Sequence, residues 1–216
     1  MAWEASCGAR YIAERADGLV AIVNVHFNTF NICMNWKTLT SEYITDKNYF
    51  RARKDKCETP GGKIVPEYYV VELDPTLCAL AITDDEKAVM IRQYRHPLGK
   101  TLLEIPGGFV DKDETPEKAI ARELLEETGY EFSRYEYLGE VAANPGVLSN
   151  FTKLYLATGG KKVAVQKLDL NEDIRVELVP LDDLTNLLLQ NKIVQSLHTN
   201  CIFYALLKMG KIRISR

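Results

Sequence analysis

No apolar run in the chain approaches the roughly 18 residues that mark a membrane-crossing helix. The opening stretch MAWEASCGARYIAERADG lacks the basic start and apolar stretch of a secretion signal. There is no CxxC pair: the five cysteines, Cys7, Cys33, Cys57, Cys78 and Cys201, are dispersed. That argues against a zinc site or a disulfide framework and points to reduced thiols in a cytoplasmic protein. Basic charge is not in excess, with 27 Lys and Arg against 30 Asp and Glu and a net charge of -3. Nucleic-acid binders usually carry a basic face, so no nucleic-acid partner and no membrane partner are expected. Internal repeats and low-complexity tracts are missing as well.

What remains is a chain of 216 residues, 46% hydrophobic and 26% charged, suited to one large domain or a domain with a small appendage. Residues 1–33 read as an N-terminal extension, with a predicted strand over Gly18–Phe27. Met34 opens MNWKTLTSEYI, which looks like an ordinary start. From Tyr49 the pattern is extended. YFRARKDK and KIVPEYYVVEL flank CETPGG, whose Pro60 and Gly61 suit the centre of a type II turn. A second hairpin is predicted from residues 77–83 and 87–94, with further strands at TLLEIP, 135–143, 151–158 and 174–180. Helices are predicted at 181–191 and 196–209. Hairpins interleaved with helices imply a mixed sheet covered by helices.

The most informative stretch is GFVDKDETPEKAIARELLEETGY, Gly108 to Tyr130, with seven acidic residues in twenty-three. Thr115 is a good N-cap, Pro116 suits the first helical position and Gly129 the stop. At about 100° per residue, Glu123 and Glu127 lie about 40° apart and Glu126 about 60° the other way. Three carboxylates therefore converge near the helix C-terminus, where the helix dipole opposes them. A hard divalent cation, which prefers oxygen ligands, would reverse that repulsion. Arg122 stands four residues before Glu126 and can pair with it. Ile120, Ala121, Leu124 and Leu125 form the expected packing face.

These residues match a known pattern in full. Gly108, Glu114, Arg122, Glu123, Leu124, Glu126, Glu127, Gly129 and Tyr130 occupy the positions of the Nudix box, with an aromatic at Tyr130 where an aliphatic is commoner. At average residue frequencies a chance match is roughly one in ten million, so the cluster is not an ordinary solvated face. The chain thus resembles the Nudix hydrolases. The resemblance implies an α/β/α sandwich around a mixed β-sheet, preceded by a small N-terminal β-rich region. It divides the chain at 34–74, a β-hairpin region for dimerisation, and 75–216, the Nudix domain. It also implies Mg2+ or Mn2+ held by Glu123, Glu126, Glu127 and the Gly107 carbonyl. The three glutamates would carry catalysis, with Gly108, Glu114, Arg122 and Gly129 as structural supports.

A looser resemblance narrows the substrate. IRQYRHPLGKTLLEIPGG, Pro145 in ANPG, and NEDIRVELVPLDD are similar to segments of ADP-ribose pyrophosphatases and related nucleotide-sugar hydrolases, over about residues 34–209. This implies hydrolysis of ADP-ribose to AMP and ribose 5-phosphate by a homodimer. The alternatives are another nucleotide sugar such as GDP-mannose, or a non-catalytic nucleotide sensor. The sensor is disfavoured because every box glutamate is kept. A DNA-binding regulator finds no helix-turn-helix segment. Glu172 is implied as a further metal ligand. Leu170 stands where some members have the glutamate that serves as general base, leaving Asp169, Asp173 or Glu126 for that task. Strand alternation puts Arg92 and Tyr94 on one face and Arg95 on the other. Both arginines are candidates to grip substrate, Arg95 the better. Glu104 is implied as a ribose contact and Phe109 as a pocket wall. RARKDK reads as a solvated strand face, Tyr43, Phe50, Tyr68 and Tyr69 as possible stacking groups. His96 and His198 read as ordinary structural residues.

Overall fold

The computed structural model describes residues 34–47, 50–170 and 172–213, and the backbone of two short strands, Ala13–Glu14 (β1) and Val20–Ala21 (β2), which pair antiparallel. The rest of the predicted strand Gly18–Phe27 lies outside the described residues.

Lys37–Lys47 (β3), Phe50–Glu58 (β4) and Ile64–Glu72 (β5) form an antiparallel sheet in that order. The β4–β5 turn corrects one expectation. Gly62 N–H donates to Thr59 O at 2.9 Å, closing the turn on Pro60 and Gly61, but the positive φ, 78°, falls on Gly62. A type I turn followed by a left-handed glycine bulge suits strand twist better than the type II turn read from the sequence.

The second sheet has eight strands: Thr76–Thr83 (β6), Lys87–Arg95 (β7), Lys100–Glu104 (β8), Gly107–Phe109 (β9), Tyr130–Glu131 (β10), Arg134–Val141 (β11), Thr152–Lys162 (β12) and Ile174–Pro180 (β13). The path runs β10-β12-β6-β7-β13, with β11 on β12, β8 on β7 and β9 on β6. β12 runs parallel to β6 and the other pairs are antiparallel, so the sheet is mixed. The β6–β7 hairpin pairs only at Ile82 and Ala88. Beyond that point β6 turns to β9 and β12, and β7 to β8 and β13.

Residues 77–83 of β6 are all buried, as expected of a strand covered on both faces. Cys78, Leu80 and Ile82 point to one core with Cys201, Ile202, Ala205 and Leu206 of the helix Ser196–Lys208 (α3), joined by Leu184 of Leu184–Leu189 (α2). Leu77, Ala79 and Ala81 point to the other, against Ala119, Ile120 and Leu124 of Pro116–Thr128 (α1). Helices thus cover both faces of the mixed sheet, an α/β/α sandwich. The α1 stripe differs from expectation: Ala121 and Leu125 are half-buried, whereas Ala119, Glu127 and Thr128 are buried. The helix is turned so that Glu127 faces inward. Among the described residues no helix is long and apolar enough to cross a membrane, and Cys57, Cys78 and Cys201 are free thiols.

Leu124 is fully buried at the α1–sheet contact. Leu124→Ala should lower unfolding free energy by about 2–5 kcal/mol in denaturant titration; a loss below about 1 kcal/mol would mean α1 packs elsewhere.

Candidate active site

The site is assembled on the short strand β9. Its register with β6 sets Gly107 beside Cys78 and Gly108 beside Leu77. A Cβ on Gly107 would lie 2.2 Å from Leu77 O, and one on Gly108 would lie 2.4 Å from the Glu123 carboxyl carbon. Only glycines let β9 cross β6 this closely and let Glu123 come up against the backbone.

From α1, Arg122 reaches back over this loop. Its Nε and Nη2 donate to Glu114 at 3.2 and 3.0 Å, a bidentate grip. Nη1 donates to Glu123 at 3.0 Å and Glu126 at 3.1 Å, and Nη2 also reaches Phe109 O at 3.1 Å. The Glu114 carboxyl is held below its usual range by this guanidinium. Glu123 goes the other way: burial pushes it up to about 7 despite Arg122. Glu127 is 3% exposed and its Oε2 accepts the Gly107 N–H at 2.9 Å. Burial, with Glu123 and Glu172 adding repulsion, pushes it up to about 8.

The carboxyl end of α1 holds a feature that sequence reading missed. α1 has no basic residue in its last turn, and its final carbonyls need donors. The end of β12 and the segment after it supply them. Lys167 N–H donates to Glu126 O at 2.9 Å, Gln166 Nε2 to Glu127 O at 2.6 Å and Lys162 Nζ to Thr128 O at 2.8 Å. Val163 and Ala164 N–H groups both reach Gly129 O. The need for caps was legible in the sequence; partners more than thirty residues away were not.

This tether carries Glu172 to the site, where its charge acts on Glu123, Glu127 and Arg95. Its Oε2 accepts the Asp169 N–H at 2.9 Å, and its own N–H returns to Asp169 O at 3.0 Å. Leu170, at the loop tip, is fully exposed, and Asp169 and Asp173 are exposed too.

Opposite the acids stands Arg95. Its Nε and Nη2 bind both oxygens of Glu104, with Nη2 at 2.6 Å. Glu104 is fully buried, so it meets a ligand only through Arg95. Arg92 is elsewhere: it pairs with Glu177 in a separate cleft of about 830 Å³ between β8, β13 and α2. Phe109 is exposed beside the box, and its carbonyl helps to hold Arg122. The structure thus brings Gly107, Glu123, Glu126, Glu127, Glu172, Arg95 and Glu104 into one neighbourhood and leaves Arg92 out of it. His198, read as structural, lies beside Glu104.

The NUDIX domain profile matches residues 73–198, and that of a nucleoside diphosphate sugar hydrolase N-terminal domain matches 36–71. The chain belongs to the Nudix family. A methanol dehydrogenase activator of Bacillus methanolicus is 34% identical over 161 residues, 74% of this chain and 86% of that protein. An ADP-ribose pyrophosphatase of Bacillus subtilis is 32% identical over 174 residues, 80% of this chain and 93% of that one. The crystal structure of an ADP compounds hydrolase superposes with a TM-score of 0.73 at 20% identity, covering 82% of this chain and 97% of that chain. The protein is a Nudix hydrolase with the Nudix fold.

Nudix hydrolases generally need a divalent metal. Among the described residues no three His, Cys, Asp or Glu side chains converge on one point; Arg122 binds Glu123 and Glu126, and the Gly107 N–H binds Glu127. The donor set nevertheless fits a hard cation. It is all oxygen, and two of its carboxyls are so buried that they resist ionisation without a positive partner.

That strain has a measurable sign. Glu123 and Glu127 bind protons more tightly folded than unfolded. Their contribution to stability is full below the ordinary value of 4.5 and is lost as pH rises through about 7 and about 8. In EDTA the melting temperature should fall across that interval, and a Glu123→Gln, Glu127→Gln double variant should flatten the slope. A metal-free melting temperature that rises over the same range would refute it.

Proposed function

We propose that this Nudix hydrolase cleaves the pyrophosphate bond of ADP-ribose, giving AMP and ribose 5-phosphate, with Mg2+ or Mn2+ as cofactor and as a homodimer. The observation that carries this reading is the buried pair Glu123 and Glu127 at the end of α1, facing Arg95 across the site. The similarity to an ADP-ribose pyrophosphatase over nearly its whole length supports the choice of substrate.

Glu123, Glu126 and Glu127 would hold the cation, with Glu172 and the Gly107 carbonyl as further ligands. Bound there, it supplies neutralisation of the pyrophosphate and a more acidic water. The chain's own residues do the rest. Arg95 offers a planar fork to phosphate oxygens, and buried Glu104 fixes its direction. Glu126 is more open than Glu123 and keeps one oxygen off Arg122. With Leu170 in the loop, we assign Glu126 the proton of the attacking water. The water oxygen bonds to one phosphorus while the bridging oxygen leaves with the other phosphate. Phe109, exposed beside the box, would wall the pocket. Arg122, Glu114, Gly108 and Gly129 keep the loop and helix in register.

Dimerisation explains the first sheet. All but one residue of β3 are exposed, Tyr43 and Ile44 at 53% and 59%, so both faces of that strand are open. Trp36, Phe50, Ile64 and Tyr69 add exposed apolar surface. A second copy of the chain would cover it, making residues 34–74 a dimerisation element and 75–216 the catalytic domain.

A hydrolysis panel of ADP-ribose, GDP-mannose, ADP-glucose, NADH and diadenosine polyphosphates should rank ADP-ribose first. EDTA should abolish turnover, and Glu127→Gln should lower kcat at least about a hundredfold. Preference for another nucleotide would replace the substrate, and activity in EDTA would end the metal-dependent reading. Light scattering at micromolar protein should give a dimer that Ile44→Asp converts to monomer; a monomeric wild type would remove the dimer proposal.

A further inference from the structure

His198 is a buried polar side chain that the site described above does not use. It lies in the first turn of α3, is 6% exposed, and its Nδ1 has no hydrogen-bond partner among the described residues. Gln195, the residue before that helix, leaves its buried Oε1 unpartnered as well. Unpaired polar atoms in a protein interior are costly and uncommon, so two at one helix start call for a reason.

Glu104 supplies it. Glu104 Oε2 lies 3.8 Å from His198 Nδ1, roughly 1 Å beyond a charge-assisted hydrogen bond. Arg95 already neutralises Glu104, so the carboxylate does not draw a proton onto the ring. Burial and Arg95 together push His198 down to about 3. The ring is therefore neutral and has one N–H to place. An ionised carboxylate only accepts, so Nδ1 meets Glu104 favourably when Nδ1 carries that hydrogen. On the far side, Arg95 commits Nε and Nη2 to Glu104 while its Nη1 makes no hydrogen bond among the described residues. That nitrogen is free for a phosphate oxygen. Glu127 and Glu172 also attract Arg95, and closure of His198 Nδ1 onto Glu104 would resist their pull.

We infer that His198 is a positioning residue: when its Nδ1 closes the 3.8 Å gap to Glu104 on substrate binding, it donates to the carboxylate that aims the Arg95 guanidinium at the substrate's phosphates. This rests on the reading of Arg95 as the phosphate grip. The chain of contact runs from α3 through Glu104 to Arg95, linking the helix on one face of the sheet to the acids at the end of α1.

Two measurements test it. Ring nitrogen shifts in heteronuclear NMR of the wild-type protein report the tautomer without any substrate; Nδ1–H is expected, and Nε2–H would overturn the proposal. Steady-state kinetics on ADP-ribose with a divalent metal form the second arm. His198→Ala should raise KM about tenfold with kcat within about twofold. His198→Asn, whose amide nitrogen falls near the Nδ1 position, should restore much of the loss, and His198→Gln should not. Arg95→Ala combined with His198→Ala should be no worse than Arg95→Ala alone. An unchanged KM in His198→Ala, equal Asn and Gln variants, or multiplying effects in the double variant would each overturn it. If His198→Ala does not fold, the Asn and Gln pair decides. If the wild type hydrolyses no nucleotide sugar, the proposed function fails, and the NMR tautomer still decides the His198 contact.

Discussion

Arg122 divides one guanidinium among the Glu114 carboxylate, Glu123, Glu126 and the Phe109 carbonyl, and the geometry of the site follows from that division. Apart from Arg122, the loop before α1 is joined to the helix by its N-cap and by the Gly107 N–H to Glu127. Two acids of like sign are held on one side of the helix because a fixed positive plane stands between them. A lysine could not replace it, since a single ammonium cannot meet four acceptors in one plane. The arrangement also explains why Glu127 differs from its neighbours. It lies beyond the reach of Arg122, faces the sheet and depends on one backbone N–H.

The electrostatics divide the site into two halves. On one side stand carboxyls that burial has made reluctant to ionise; on the other, Arg95 is anchored on a carboxylate with no exposure at all. A pyrophosphate lying between them would meet positive charge from Arg95 and repulsion from the acids. That repulsion is the physical reason such a site demands a cation. The protein's framework supplies direction and spacing, and the two sheet faces keep the halves apart until the chain brings them together at one end of the sheet.

Much of this was legible from residue order. The limits of α1 follow from Thr115, Pro116 and Gly129, which act within one turn, and the structure starts and stops the helix at those residues. β13 follows from apolar residues alternating with Arg175 and Glu177 after an acidic loop, ending at Pro180. Placing Arg92 and Arg95 on opposite faces needed only strand alternation. What failed was non-local. Gly62 rather than Gly61 takes the left-handed conformation because the flanking strands set the twist. Lys162, Gln166 and Lys167 carry no motif; they matter because β12 returns the chain to the end of α1. His198 looked like any core histidine, since its relation to Glu104 exists only after α3 packs across the sheet.

The loop that closes the end of α1 binds backbone carbonyls there rather than the Glu126 and Glu127 side chains. Lifting it away would leave those carbonyls without donors and fray the very turn that bears Glu126 and Glu127. Were a cation to bind the carboxyls of that turn, loop order and occupancy would be linked, each strengthening the other to the same degree. The outer side chains of the loop, Leu170 among them, remain free to vary without loosening that linkage. The side chains at this edge and the bonds that fasten the loop to the helix are thus separate parts of the same segment.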